Sequence, residues 1–224
     1  MLFGTAIGPS REGETTIAHR VVPALRPEML CLADRQFFGG ALWAASRATG
    51  AALLWRIKRN ARLPRERGLP DGSYLSTTYP SARDRRRQTN GDRVRVIDYR
   101  LTGVKDAEPL YRLVTTLLDP AVAPGEELAA LYHERWEIET ALDELKTHLR
   151  GAQLVLRSKT PDLVRQECYG LLLAHFALRG LMHEAAVKVD ADPDRLSFLH
   201  AVRVLRRKLP LAVALPPSGE IGVS

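Results

Sequence analysis

One short charged segment carries the residue types needed to hold a metal ion and a phosphate chain together. It is Y-H-E-R-W-E-I-E-T-A-L-D-E-L-K, residues 132–146. On a helical wheel of about 100° per residue, its phenol, guanidinium, carboxylate and ammonium groups fall on one stripe. These groups belong to Tyr132, Arg135, Glu139 and Lys146. Leu and Ile residues lie directly beside that stripe, which predicts that the helix packs against a core along this edge.

The same helix has a simpler interpretation. Arg135 and Glu139 are spaced i,i+4, and such a pair on a solvated amphipathic helix contributes only about 0.2–0.5 kcal/mol. The wheel alone leaves both interpretations open. A second observation favours a site, because Asp34 directly follows the apolar run Met29–Ala33. Layered α/β folds place functional carboxylates where a buried strand ends.

The order of the predicted elements indicates how these residues are positioned. Helix, strand, helix and strand follow one another in the first quarter of the chain, which is typical of an α/β fold with parallel pairing. The predicted elements are a helix at 13–25, a strand at 29–33, a helix at 37–50, strands at 51–57, 93–101 and 111–118, a long helix at 124–150, helices at 163–187 and 195–207, and a frayed tail from Lys208.

The overall composition is that of an ordinary globular chain. The protein has 224 residues, of which 45% are hydrophobic and 26% are charged. No apolar run has the length of a membrane span, and the N-terminus lacks the pattern of a signal peptide. Cys31 and Cys168 are isolated in apolar surroundings. This predicts reduced core thiols of a cytosolic protein rather than a disulfide or a metal pair.

Positive charge is concentrated in one part of the chain. Residues 55–100 hold 13 Arg and Lys against 5 Asp and Glu, a local excess of eight in a chain of net charge +7. A basic segment on a near-neutral body is expected of a protein that binds a polyanion, most often nucleic acid. A solvated, arginine-rich surface without a partner fits the charge equally well.

Three motifs resemble those of bacterial insertion-sequence transposases of the DDE type, specifically the IS-four-like branch. The first is Y-x2-R-x3-E-x6-K, residues 132–146. The second is L-A-D-R-Q-F at 32–37, which is similar to the family's strand-end Asp motif. The third is R-S-K-T-P-D-L-V-R-Q-E at 157–167. The resemblance covers nearly the whole chain.

The resemblance implies an α/β fold: an RNase H-like catalytic domain with a β-rich insertion and a helical C-terminal part. On that basis we expect four parts in the chain. They are a partial RNase H-like core at 1–57, a basic β-rich insertion at 58–120, the signature helix and C-terminal helices at 121–210, and a flexible tail at 211–224.

The resemblance also implies DNA transposition by metal-dependent phosphoryl transfer, with strand cleavage and strand transfer at transposon ends. Asp34 and Glu139 would be the catalytic carboxylates that hold two Mg²⁺ ions, which Mn²⁺ can replace. Carboxylates are hard oxygen donors that suit such ions. Tyr132, Arg135 and Lys146 would hold phosphates of double-stranded DNA at the transposon end.

Further partners follow from the same resemblance. Trp136 and Tyr111 lie where aromatic residues of relatives stack on or displace a flipped base, although a role in the core fits both equally well. The arginine-rich insertion would follow the DNA backbone with salt-dependent affinity. A homodimer on DNA is compatible with the family, and the expected location is the bacterial cytoplasm at the nucleoid, with no membrane.

One departure from the family pattern changes the expected activity. The family's first Asp lies on a strand upstream of the second, but no Asp precedes Asp34 in this sequence. We therefore expect the first strand or strands to be missing and the chain to be a truncated, inactive remnant. Two alternatives remain open: a non-catalytic DNA-binding fragment, and a plain α/β domain with a solvated basic loop.

Overall fold

The chain folds as two compact units. The computed structural model describes residues 5–9, 11–101, 103, 108–135, 141, 143–149 and 160–212. The first unit is Leu2–Arg135 and the second is Trp136–Ser224 together with Met1. Within the described residues, every strand belongs to the first unit and the second unit is helical.

The first unit is built on one mixed sheet of six strands. They are β1 (Leu30–Ala33), β2 (Ala52–Arg56), β3 (Arg67–Gly68), β4 (Tyr74–Thr78), β5 (Asp92–Tyr99) and β6 (Tyr111–Thr115), in the spatial order β1-β2-β6-β5-β4-β3. β1 and β2 run parallel, whereas every other neighbouring pair is antiparallel. Direct pairing of β2 with β6 joins the basic, β-rich segment to the parallel pair in one continuous sheet.

Short helices connect the strands of this unit. They are α1 (Glu14–Ala18), α2 (Gly40–Ala48), α3 (Ala82–Arg87) and α4 (Gly125–His133). After α2 the chain turns at Gly50, whose φ of +85° is a left-handed conformation that favours glycine at a helix end. Ser81 precedes α3, and its hydroxyl accepts a hydrogen bond from the Asp84 N–H group and so caps the helix.

Alternation along β2 divides the core between the two faces of the sheet. Leu53 and Trp55 point to one face and pack with Trp43 of α2. Leu54 points to the other face, where it packs with Leu128 and Tyr132 of α4. Successive side chains of a strand lie on opposite faces, so one apolar strand serves both cores. The sheet thereby fixes α4 on the face opposite to α2.

The second unit consists of helical segments around a small apolar core. Its elements are a π-helical segment (Glu144–Leu149), α5 (Pro161–Lys188), a 3₁₀ turn (Pro193–Arg195) and α6 (Phe198–Ala212). Pro161 stands in the first turn of α5, where its missing N–H group costs no helical hydrogen bond. Leu178 and Met182 of α5 pack against Phe198 and Val202 of α6.

The predicted α/β class is confirmed, and the mixed sheet with its helices is consistent with an RNase H-like fold. The parallel pairing of the first two strands is also confirmed. The elements predicted at 29–33, 51–57, 93–101, 111–118, 37–50 and 163–187 are present as β1, β2, β5, β6, α2 and α5. The boundaries of the four expected parts stay a prediction.

Several predicted helices differ from those observed. The helix expected at 13–25 is interrupted after Ala18 and followed by a 3₁₀ turn, Val22–Ala24. Pro23 lies inside that turn, and proline lacks the N–H group that would continue an α-helix. The last helix starts at Phe198 and continues to Ala212, so the tail begins later than Lys208. The prediction also missed β3, β4 and α3, each of six residues or fewer.

The long helix predicted at 124–150 is not one regular α-helix. α4 ends at His133, and Glu134 and Arg135 form a turn. Farther along, the segment Glu144–Leu149 has π-helical hydrogen bonding. A wheel with a constant step of about 100° therefore does not describe the whole stretch from Tyr132 to Lys146.

Candidate active site and its supporting contacts

Asp34 lies at the carboxyl end of the parallel strand pair. Ala33 pairs with Trp55 in register, so Asp34, which follows the last residue of β1, lies next to Arg56, the last residue of β2. The Asp34 side chain is partly buried, and its Oδ1 accepts the Arg35 N–H group at 2.6 Å. This is the edge of an α/β sheet at which ligands usually bind.

Tyr132 joins α4 to the end of β1. Its hydroxyl donates a hydrogen bond to the Ala33 carbonyl at 3.1 Å, one residue before Asp34. Its ring is only 4% exposed and packs in the core between α4 and the sheet. The contact therefore holds α4 beside the candidate catalytic carboxylate.

The electrostatic surroundings keep the Tyr132 hydroxyl protonated. Burial is the main cause that raises the pKa of Tyr132 to about 12. The nearby Asp34 carboxylate acts in the same direction, whereas Arg135 and Arg56 act in the opposite one. A neutral phenol is a hydrogen-bond donor and a poor metal ligand, so the observed role of Tyr132 is to position the helix.

Arg135 follows Tyr132 in the turn after α4. Its N–H group donates to the Tyr132 carbonyl at 3.2 Å, and its guanidinium carbon lies 5.6 Å from the centroid of the Tyr132 ring. The structure thus brings Asp34, Tyr132 and Arg135 together at one edge of the sheet. Their predicted catalytic and DNA-binding roles stay predictions.

The rest of the predicted site is described only in part. Glu139 and Trp136 lie outside the described residues. Lys146 belongs to the π-helical segment of the second unit. Within the part of the chain that the structure describes, no three His, Cys, Asp or Glu side chains form a group that could hold a metal. Of the predicted metal ligands, Asp34 alone therefore has a described position.

The structure adds charged residues that the motifs did not indicate. Glu108 accepts hydrogen bonds from two guanidinium groups, from Arg35 at 2.9 Å and from Arg56 at 2.7 Å. The hydrogen bond from Arg56 and the positive charge of both arginines lower the pKa of Glu108, although partial burial acts against this. The sequence offers one signal for these arginines as site residues, which is that Arg35 and Arg56 lie at or next to the ends of predicted strands.

Tyr111 contacts both Arg56 and Glu108. Its ring stacks on Tyr99 with 5.2 Å between centroids, and Arg56 lies 4.7 Å above its centroid. The Tyr111 hydroxyl accepts the Glu108 N–H group at 3.1 Å. In this structure Tyr111 therefore has a packing role; its predicted role in base stacking stays a prediction.

An ion pair of a buried arginine fixes the start of α4. Arg95 on β5 is completely buried and pairs with Asp71, which lies in the turn between β3 and β4. Its guanidinium also donates to Ser73 Oγ at 2.8 Å and to the Ala123 carbonyl at 2.6 Å. Asp71 in turn accepts the Gly125 N–H group at 3.0 Å, at the first residue of α4. The β-rich segment is therefore connected directly to the helix that carries Tyr132.

Gly125 is required at this point by the close approach of the ion pair. A Cβ atom there would lie 2.7 Å from Asp71 Oδ2 and 3.3 Å from Arg95 Nη2. Burial alone would raise the pKa of Asp71, but the hydrogen bonds from Ser73 and Gly125 and the charge of Arg95 lower it. Asp71 thus remains a carboxylate that satisfies the N-terminal N–H group of the helix.

A second charged cluster stabilises the helical unit. Glu144, in the π-helical segment, is only 5% exposed. Its carboxylate binds Arg179 at 2.7 and 3.1 Å and His175 Nε2 at 2.9 Å, both on α5. These contacts fix the backbone segment that contains Lys146.

Most of the concentrated positive charge is on the surface. Of the 13 basic residues at 55–100, Arg95 is buried and Arg56 is partly buried. The other eleven are exposed: Lys58, Arg59, Arg62, Arg65, Arg67, Arg83, Arg85, Arg86, Arg87, Arg93 and Arg100. Four of them are on α3, and Arg62 and Arg85 line the same surface cleft.

Comparison with known proteins identifies the class. Residues 2–177 match the family described as "Transposase DDE domain". The chain therefore belongs to the DDE transposases, whose members generally use divalent metal ions. This confirms the family expected from the motifs.

The curated proteins include a relative of the expected branch. The chain is 30% identical over 213 residues to "Transposase InsG for insertion sequence element IS4" of Escherichia coli (strain K12). The match covers 93% of this chain and 48% of the relative, so the chain spans about half the length of that protein. Among the described helices, none has both the length and the apolar content needed to cross a membrane.

Proposed function

We propose that this chain takes part in DNA transposition by metal-dependent cleavage and transfer of strands at transposon ends. The observation that carries the proposal is the convergence of Asp34, Tyr132 and Arg135 at the carboxyl end of the parallel strands. Membership of the DDE transposases supports the reaction class. Its site of action would be the bacterial cytoplasm at the nucleoid, as a homodimer on DNA.

Asp34 and Glu139 are the proposed metal ligands. Asp34 presents a carboxylate at a strand end, and carboxylate oxygens are the donors that Mg²⁺ and Mn²⁺ prefer. Divalent ions at such a site supply the activation of the attacking hydroxyl and the stabilisation of the leaving oxygen. The protein's own contribution at Asp34 is to hold the carboxylate beside the sheet and the Tyr132 contact.

The cationic residues of the motif are proposed to position the DNA. Arg135 would form a two-pronged contact with a phosphate, and Lys146 would act as a point charge. Tyr132 would hold the turn that carries Arg135, because its ring lies under the guanidinium. The eleven exposed basic residues at 58–100 would follow the phosphate backbone, without reading the base sequence.

Cleavage of transposon-end DNA tests the catalytic assignment. A duplex carrying the ends of the encoding insertion sequence is incubated with the chain and Mg²⁺, and nicks are mapped on a sequencing gel. Any nick that forms should require the ion and disappear in Glu139→Gln, with DNA binding retained. A nick that survives Glu139→Gln would show that the catalytic assignment is wrong.

A second function is supported by the exposed basic surface: binding of DNA without catalysis. It predicts salt-dependent affinity for duplex DNA and no metal-dependent nick in the wild-type chain. Affinity that does not fall as salt rises would exclude a phosphate-binding surface and leave a plain α/β domain.

A further inference from the structure

Two arginines at the edge of the candidate site converge on one carboxylate. Arg35 Nη1 binds Glu108 Oε1 at 2.9 Å, and Arg56 Nη2 binds Glu108 Oε2 at 2.7 Å. Each carboxylate oxygen thus contacts a different guanidinium. The two non-bridging oxygens of a phosphodiester can be held in the same way, because guanidinium groups bind carboxylates and phosphates through similar geometry.

Arg56 is held in place independently of Glu108. Its side chain is only 13% exposed, and its guanidinium lies over the Tyr111 ring, which is itself stacked on Tyr99. Stacking on an aromatic face fixes the plane of a guanidinium group and leaves its N–H groups free to bind an anion. The position of the Arg56 guanidinium is therefore supported by the sheet and does not depend on Glu108.

The two arginines lie next to the candidate metal ligand. Arg35 follows Asp34 in the chain, and Arg56 is beside Asp34 across the parallel pair. An anion held by both would lie at the edge of the sheet where the DNA backbone must approach Asp34.

We propose that Arg35 and Arg56 form a binding site for a DNA phosphodiester beside Asp34, and that the Glu108 carboxylate occupies this site until DNA displaces it. This inference rests on the proposed function, because it takes DNA as the ligand. Glu108 precedes β6 and its side chain is 42% exposed. The Arg35–Glu108 pair is exposed, and such a pair contributes about 0–1 kcal/mol, so its exchange for a phosphate group costs little.

The test measures the affinity of the whole chain for a fluorescent duplex of about 25 base pairs over a series of salt concentrations. The variant is Glu108→Gln, which removes the competing charge and keeps the shape. Its matched control is Glu12→Gln, which makes the same change in an ion pair with Arg20 in the N-terminal segment. Thermal unfolding confirms that each variant is folded.

We expect Glu108→Gln to bind about 3- to 10-fold more tightly than Glu12→Gln, as the loss of one exposed competing ion pair allows. The slope of log affinity against log salt should become steeper by about 0.9, the value for one additional phosphate contact. Arg56→Gln should weaken binding, and the double variant Glu108→Gln/Arg56→Gln should lose the gain.

Two results would overturn the inference: equal affinities of Glu108→Gln and Glu12→Gln, or a gain that persists in the double variant. Neither result affects the proposed function, because wild-type binding would still fall with salt. Failure of the proposed function looks different: wild type and Glu12→Gln would show no salt-dependent binding at all.

Discussion

Tyr132 connects the two residues beside it to the sheet. Its hydroxyl binds the carbonyl that precedes Asp34, and its ring lies under the Arg135 guanidinium. The pattern Y-x2-R therefore has a structural reason in this chain, since the phenol holds the turn from which the arginine projects. The same contact explains why the hydroxyl must stay neutral.

The first prediction concerns the pH dependence of this contact. The pKa of Tyr132 is raised from 10.0 to about 12, so the folded state requires the protonated phenol. Its contribution to stability is complete below pH 10 and is lost as the pH rises from 10 to 12, a total loss of about 2–3 kcal/mol. Urea unfolding of wild type and Tyr132→Phe between pH 8 and pH 11, about two units below and one unit above the pKa of an unfolded tyrosine, measures the difference.

At neutral pH, Tyr132→Phe should lower the free energy of unfolding by about 1–3 kcal/mol, because the Ala33 carbonyl loses its donor. Tyr169→Phe is the control, since that side chain is 47% exposed on α5. If the stability difference between wild type and Tyr132→Phe did not shrink with rising pH, the neutral phenol would not be the group involved.

At the scale of elements, α4 is placed by the β-rich segment as well as by the parallel strands. Arg95 and Asp71 join β5 and the β3–β4 turn to Ala123 and Gly125 at the start of α4. The sheet continues through this β-rich segment, and one of the segment's basic residues is entirely internal.

The second prediction concerns this ion pair. Arg95→Met should lower the free energy of unfolding by about 1–3 kcal/mol, because the Ser73 hydroxyl and the Ala123 carbonyl lose their buried donor. The double variant Arg95→Met/Asp71→Leu should recover part of the loss. Arg112→Met is the control, because its pair with Asp98 is closer to solvent, at 17% and 30% side-chain exposure. Equal losses for Arg95→Met and Arg112→Met in urea unfolding would contradict the proposed importance of burial.

Acid should weaken the same connection. Because the pKa of Asp71 is lowered in the folded chain, its contribution is present above the unfolded pKa, which is about 4, and is lost as the pH falls through the lower folded value. Unfolding measured from pH 6 to pH 2, roughly two units on either side of that pKa, should show a smaller acid sensitivity in Asp71→Asn than in wild type.

In the helical unit, Glu144 should be equally important. Glu144→Gln keeps the volume but removes the charge shared by Arg179 and His175. We expect a loss of about 1–3 kcal/mol in thermal or urea unfolding. Asp162→Asn is the control, because its i,i+3 pair with Arg165 is on the surface. A loss no larger than that of the control would show that Glu144 does not hold the segment containing Lys146.

At the scale of the whole molecule, positive charge is distributed unevenly. Eleven exposed basic residues lie between positions 58 and 100, and α3 alone carries four. Exposed charges of one sign attract a polyanion over about one Debye length, roughly 10 Å at moderate salt, and give little selectivity for sequence.

The corresponding prediction compares two pairs of exposed arginines. Arg86→Gln/Arg87→Gln on α3 should reduce the salt slope of duplex binding by about 2, one for each lost phosphate contact. The charge-matched control is Arg203→Gln/Arg207→Gln on α6, which should change the slope little. Filter binding from about 50 to 200 mM salt measures both. Equal slopes for the two variants would mean that net charge, and not the α3 surface, drives binding.

Local sequence patterns were sufficient to predict many of the strands and helices and the family of this protein. The strands at 29–33 and 51–57 and the helix at 163–187 were predicted because apolar periodicity and Gly or Pro boundaries act over a few residues. The motif residues identified the family because their types and spacing can be read directly from the sequence. The 3₁₀ turn that contains Pro23 and the π-helical segment were not predicted, because the backbone geometry of single residues decides both.

The tertiary structure alone decided which charges are buried and which contacts hold the site. In sequence, Arg95 looks like another exposed basic residue, yet it is internal because Asp71, Ser73 and Ala123 surround it. Tyr132 and Ala33 are 99 residues apart, and Arg35 and Glu108 are 73 apart. Contacts over such separations depend on the order of the strands and on which faces of the sheet are covered. A pattern of a few neighbouring residues does not determine either.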